Sequence, residues 1–297
     1  MYLNTLMIRR VLVFGPPVLG LMLLMALAGC SSGGSDSQGK TLVVFAAASL
    51  VEAFGEMSGD FKKDHPEVTI ILNFAGSQRL RTQLEHGARA DVFASADDLQ
   101  MDRLMETGLL LGQPVTFTTN RMVVIVPVSE AADNPTSPVM TLKDMAADGV
   151  KLVVALPEVP AGFYARTVIE NIGADPASEP KYAERVLSNI VSMEPNVRSV
   201  AQKVALGEAD AGIVYWSDAQ VEGVAGRVRL LPIPDQANVA ASYPVARLRN
   251  SAEPELAEAF IDLLRSPQGQ NILLKHGFGA MDSGQSPPVN GGRRDSG

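Results

Sequence analysis

Apolar and polar positions along this chain fall into two alternating patterns. Short, nearly continuous apolar runs rich in valine and isoleucine are followed by stretches whose apolar positions recur at three and four. The first pattern predicts buried strands and the second amphipathic helices. Strands are predicted over residues 42–45, 68–74, 91–96, 121–127, 151–156, 211–216 and 228–233. Helical periodicity fills the segments after 49, 77 and 97, and then 162–172, 181–190, 197–206, 256–264 and 268–275. Such alternation implies a mainly parallel sheet covered on both faces. No internal repeat at a fixed period is present.

The junctions between strand and helix carry the chemistry. The run Val44-Phe45 passes through Ala46-Ala47-Ala48 into Ser49-Leu50, after which Ala53, Phe54, Met57 and Phe61 mark a helix face. Ser49 is expected to be the helix N-cap, and Glu52 three residues on to complete a capping box. A second unit repeats the plan: an apolar strand, the small turn Ala75-Gly76, and a helix begun by Ser77. Turns with no side chain larger than a methyl group leave the first backbone N–H groups of a helix bare at its positive dipole end, which is an anion site. Each serine read alone serves equally well as a simple cap. Two further helix starts share the character. Pro160 leads into Ala161-Gly162, and Asn196 stands as an N-cap before Val197. The strand 211–216 carries Tyr215 near its end, and the hydroxyl of Tyr215 is one more donor that needs a partner when buried. No Lys or Arg adjoins the turns at Ala48-Ser49 or Ala161, and Arg79 and Arg198 are expected to point to solvent.

The two ends of the chain read differently from its body. Arg9 and Arg10 precede an apolar run that ends in Leu27-Ala28-Gly29-Cys30. The run is long enough to be weighed as a membrane span, but its basic and small-residue flanks are those of an export signal. Leu-Ala-Gly-Cys resembles the lipobox of bacterial lipoproteins, which implies cleavage after residue 29 and a lipid on Cys30. Cys30 is the only cysteine, so no disulfide forms within the chain. Residues 31–39 are Gly/Ser-rich and read as a tether, and 281–297 as a disordered tail. The formal charge is −8, and loss of residues 1–29 removes two arginines and no acid, leaving −10. An acidic body argues against nucleic acid as a partner.

Six motifs occur in order: Ala46 to Leu50, Gly76-Ser77, Ala90 to Asp97, Pro157 to Tyr164, Gly212 to Asp218 and Tyr243-Pro244-Val245. Together they resemble the molybdate-binding proteins of bacterial ABC transporters, over essentially residues 41–278. The resemblance implies a type II periplasmic-binding-protein fold, two α/β domains with mainly parallel sheets joined by two crossing strands. It places residues 1–29 as signal peptide, 30–40 as lipidated cysteine and tether, 41–118 plus 239–280 as domain I, 119–238 as domain II and 281–297 as tail. Crossings are expected near residues 118–122 and 234–239. The resemblance implies that molybdate, or tungstate, sits between the domains. Ser49 and Ser77 would donate hydroxyls, Ala161 and Val197 backbone N–H groups, and Tyr215 its hydroxyl. The implied partners are a transporter permease and, through the lipid, the membrane; the protein is expected to be an exported monomer without a cofactor or a cation site. One departure stands at the second serine, where the family often has Ser-Ser-Gly or Gly-Ser-Ser and this chain has Ala75-Gly76-Ser77-Gln78.

Other classes find less support in the residues. His65, His86 and His276 each sit before Pro or Gly at a turn or helix end, where imidazole serves the dipole and the cap. Neither serine lies in a Gly-x-Ser-x-Gly elbow, so a secreted enzyme has no evident nucleophile. A sulfate or thiosulfate receptor stays open, because spacing does not reveal cavity size.

Overall fold

A computed structural model describes residues 39–128 and 137–280. The predicted export signal, Cys30, nearly all of the tether and the tail lie outside the described residues. In chain order, β1 (Thr41–Ala47) runs through a 3-10 turn at Ala48–Leu50 into α1 (Val51–Asp64). Then follow β2 (Thr69–Ala75), α2 (Ser77–Glu85), β3 (Val92–Ala94), α3 (Asp98–Glu106) and the long β4 (Leu110–Pro127). Next come β5 (Leu152–Ala155), α4 (Pro160–Ala174), α5 (Tyr182–Ser188), β6 (Ile190–Glu194), α6 (Val197–Ala205), β7 (Ala211–Tyr215) and the short α7 (Trp216–Ala219). The described chain closes with β8 (Val228–Pro232), β9 (Ala240–Leu248), α8 (Pro254–Arg265) and α9 (Pro267–Lys275).

The strands form one path, β2-β1-β3-β9-β4-β7-β5-β6, with β8 paired to β4. The parallel expectation holds at each end, for β2-β1-β3 and for β6-β5-β7. Between them β4, β8 and β9 run antiparallel to their neighbours, so the sheet as a whole is mixed. β4 joins the two ends: residues 110–121 pair with β9, while residues 122–127 pair with β7 and β8. The expected crossing at residues 118–122 is therefore part of β4. The second expected crossing, 234–239, is a turn and no strand; Pro234 cannot donate to a ladder, and β9 begins at Ala240. β9 itself carries Pro244, which pairs with Thr116 beside a register shift in β4, where a missing ladder donor is tolerated.

Two apolar clusters cover the sheet. One fills the face under α2 and α3 with Phe45, Leu80, Phe93, Met101 and Leu104. The other joins the rest, and its aromatic centre packs Phe54 of α1 against Phe260 of α8 edge-to-face at 5.6 Å between ring centroids. α1 earns its amphipathic face from Ala53, Phe54, Met57 and Phe61, all buried as the periodicity predicts. Glycine matters most at Gly162, where an added Cβ would stand 2.0 Å from the Leu156 carbonyl. That closeness seats the start of α4 directly on the end of β5.

Candidate functional site

Four strand-to-helix junctions meet at one small cavity. Its walls are the turns Ala47-Ala48-Ser49, Ala75-Gly76-Ser77, Val159-Pro160-Ala161 and Asn196-Val197, with Ala96 and Tyr215. All five residues expected to bind the anion, Ser49, Ser77, Ala161, Val197 and Tyr215, line it. None of its lining residues carries a charge. The free space between these walls is only about 10 Å³, room for one compact occupant.

Each wall is made by local physics. α2, α4 and α6 each begin at the cavity, and the first backbone N–H groups of a helix have no partner within it. Pro160 takes the first helical position of α4, where its missing N–H costs nothing, and Ala161 follows as the first available donor. Asn196 is the N-cap of α6 as expected, its Oδ1 accepting from Ser199 N at 3.0 Å. That bond uses the third N–H and leaves Val197 N–H to the cavity side. Methyl-sized side chains at Ala48, Ala75, Ala96 and Ala161 keep the donors uncovered.

Ser49 is not the helix cap expected of it, while Ser77 begins its helix as expected. Ser49 lies within the 3-10 turn, Leu50 is the N-cap of α1, and no side-chain capping bond is made there. The capping box with Glu52 does not form, because Glu52 turns to Arg198. Ser49 Oγ instead lies 2.9 Å from the hydroxyl of Tyr243, buried on β9. If Tyr243 donates to Ser49, the serine keeps its own proton for an occupant. Ser77 is the first residue of α2, after Gly76 at the N-cap position. Its Oγ accepts Ala96 N–H at 3.0 Å, so its hydroxyl proton is likewise left to donate. Tyr243 and Ala96 were not singled out by sequence as site residues; only their places in two of the ordered motifs hinted at them.

Tyr215 is the exceptional group. Its side chain is 1% exposed, and its hydroxyl has no hydrogen-bond partner among the described residues. Burial pushes both the Tyr215 and Tyr243 hydroxyls well above the ordinary phenol value, so each stays protonated as a donor. A buried hydroxyl without a partner costs about 1–3 kcal/mol, and such a cost is understandable where a ligand supplies the missing acceptor.

Arg198 overturns the expectation that it faces solvent. It follows Val197 in α6, and its guanidinium reaches the opposite wall. Nε donates to Ala48 O at 3.2 Å, Nη2 to Ser49 O at 3.3 Å and Nη1 to Glu52 Oε1 at 3.1 Å. Behind it, Asp218 Oδ1 lies 2.8 Å from Nε in a charge contact, while the Nε proton is aimed at Ala48. Asp218 is fully buried; burial pushes its carboxyl up to about 7, against the opposing pull of Arg198. Arg79 is exposed, as expected.

Asp97, next to Ala96, caps α3 by accepting Gln100 N–H at 2.9 Å. Burial pushes its carboxyl up to about 6. A folded-state value above the unfolded one means that stability from this group is complete below about pH 4. It is lost as pH rises through about 6. Asp97→Asn keeps the cap acceptor and removes the titration. The stability of the variant relative to the parent should therefore grow by about 2 kcal/mol from pH 4 to pH 7, measured by urea unfolding at each pH. Parallel curves for the two proteins would rule this out.

Among the described residues no helix is long and apolar enough to cross a membrane. His86 and His276 end α2 and α9, and His276 also meets Glu56 at 2.8 Å.

Known proteins share this architecture. A family model described as bacterial extracellular solute-binding protein matches residues 42–279. The molybdate-binding protein ModA of Mycobacterium tuberculosis is 39% identical over 269 residues, 87% of this chain and 96% of the relative. Among solved structures, the periplasmic molybdate-binding protein of Azotobacter vinelandii gives a TM-score of 0.66 at 20% identity, covering 80% of this chain and 98% of its own. The sulfate-binding protein SubI of Mycobacterium tuberculosis gives 0.69 at 17%, covering 82% and 88%. These two likenesses speak for the periplasmic-binding-protein fold. With its family model spanning nearly every described residue, the chain belongs to the bacterial extracellular solute-binding proteins.

Proposed function

We propose that this protein is a receptor, and not an enzyme, that binds molybdate, and tungstate with it, and hands the ion to the permease of an ABC transporter. The observation that carries the reading is the unpartnered Tyr215 hydroxyl, buried in an uncharged cavity where helix starts converge. An oxyanion there meets oriented N–H dipoles and hydroxyls, which hold charge in a dry site without counter-ions. Ser49, Ser77 and Tyr215 give hydroxyls, and Ala161 and Val197 give N–H groups. The kinship with ModA at 39% identity supports molybdate as the ion. Residues 41–118 with 239–280 form one lobe and 119–238 the other, and the ion lies between them. Cys30 carries the lipid that ties a monomer to the membrane after export.

The set of donors predicts selectivity. Molybdate and sulfate are fully deprotonated near neutral pH, so every oxygen accepts. Phosphate keeps a proton that must donate, and no carboxylate lines the cavity to receive it. A buried donor left facing a donor costs about 1–3 kcal/mol. Titration calorimetry on anion-free protein should show molybdate bound most tightly, tungstate close to it, and phosphate at least about tenfold weaker. Sulfate bound more tightly than molybdate would move the reading to a sulfate receptor. Phosphate equal to molybdate would refute a cavity made only of donors.

A further inference from the structure

We propose that Arg198 is a positioning residue that latches the cavity shut, tying α6 to the opposite wall through Glu52 and the Ala48 and Ser49 carbonyls. The inference rests on the oxyanion reading above and adds to it a part that does not touch the ion. Arg198 does not line the cavity, yet its neighbour Val197 does, and the two carbonyls it holds belong to the turn that presents Ser49.

The geometry favours a mechanical role over a counter-charge. The Arg198 side chain is only 16% exposed, and its guanidinium sits between two acidic side chains, Glu52 in front and Asp218 behind. Its charge is thus engaged within the protein, by Glu52 across the wall and by the buried Asp218 carboxyl behind. Its planar fork suits what it does, which is to engage a carboxylate and two carbonyls at once; a lysine ammonium lacks that shape. The contact joins residues 146 apart in sequence, one on α6, which begins at the cavity, and one on α1, which follows the turn at Ala48 and Ser49 in the cavity wall. A second close approach supports the same closure. Gly76 stands so near Pro195 that an added Cβ would lie 2.8 Å from the Pro195 carbonyl, and Gln78 Nε2 reaches that carbonyl at 3.4 Å. When the ion leaves, the walls must part, and the Arg198–Glu52 contact is the charged one to break.

The test uses Glu52, since removing Arg198 would leave Asp218 buried without its cation and could unfold the chain. Glu52 is 34% exposed, so Glu52→Ala and Glu52→Lys should both fold. In stopped-flow dissociation, Glu52→Ala should release molybdate about tenfold faster than the parent, and Glu52→Lys faster still. Association should change little. Arg198→Lys should lie between the parent and Glu52→Lys. Small-angle scattering of anion-free Glu52→Lys should show a larger radius of gyration than the parent. Unchanged dissociation and an unchanged radius in Glu52→Lys, with molybdate still bound, would overturn the latch alone. A parent protein that binds no molybdate would instead overturn the functional reading. The scattering comparison would still decide whether Glu52 holds the cavity shut.

Discussion

Ala161→Pro should lower the affinity for molybdate by at least about 100-fold while leaving the chain folded. Ala161 is the second residue of α4, 1% exposed, in the cavity wall. Its N–H has no acceptor inside the helix, and a hydrogen bond to a charged partner is worth about 1.5–3 kcal/mol. Proline deletes that donor. Its ring carbon also takes up space in a cavity of about 10 Å³, and the preceding Pro160 is pushed away from helical geometry. The three effects act on the same few atoms, so the loss exceeds that of one donor. Proline in a first turn is otherwise tolerated, and circular dichroism should report a folded protein. Ala161→Gly, which keeps the N–H, should bind nearly as the parent does. The comparison by calorimetry separates the backbone donor from the side chain. An Ala161→Pro protein within threefold of the parent would remove Ala161 from the site.

Tyr215→Phe should move stability and affinity in opposite directions. Without an ion, the Tyr215 hydroxyl is buried and unpartnered, so deleting it relieves a penalty of about 1–3 kcal/mol. The anion-free variant should melt at a higher temperature than the anion-free parent. With molybdate, the same deletion removes a donor to charge and should weaken binding by roughly 10- to 100-fold. A ligand raises the melting point according to its affinity, so the gain on adding molybdate should shrink in the variant. A merely structural tyrosine gives a different pattern: lower stability without the ion and unchanged affinity. The ring contact with Tyr243, at 5.8 Å between centroids, is kept by phenylalanine, so core packing is not disturbed.

Much of this protein was legible along the chain. Strand runs such as 121–127, 152–155 and 211–215 and helix faces such as Ala53, Phe54, Met57 and Phe61 show their periods plainly, because burial is written locally as apolar spacing. The turns built of Ala, Gly and Ser announce bare helix starts for the same reason: the absence of a side chain is a local property. Asn196 declared itself a cap by residue type and position. Less legible were segments whose pattern is broken. The first part of β4, with Gly112, Pro114 and alternating threonines, and β9, with Pro244, pair across register shifts and lack a clean period.

What only the tertiary structure decided is which distant residues meet. Four turns spread from Ala47 to Val197 close on one cavity because β1 and β2 run with β4 while β5 and β6 run against it, so the two parallel groups aim their carboxyl ends at each other. Local spacing fixes each turn but not their convergence. Ser49 and Glu52 make a sound capping box as a sequence, yet Tyr243 and Arg198, both well over a hundred residues away, take their side chains instead. Arg198, in the first turn of a helix, looks solvated until Glu52 and Asp218 arrive from other elements. The missing partner of Tyr215 is decided in the same way. A hydrogen bond that fails to form leaves no mark in a sequence, because it depends on every group packed around that one oxygen.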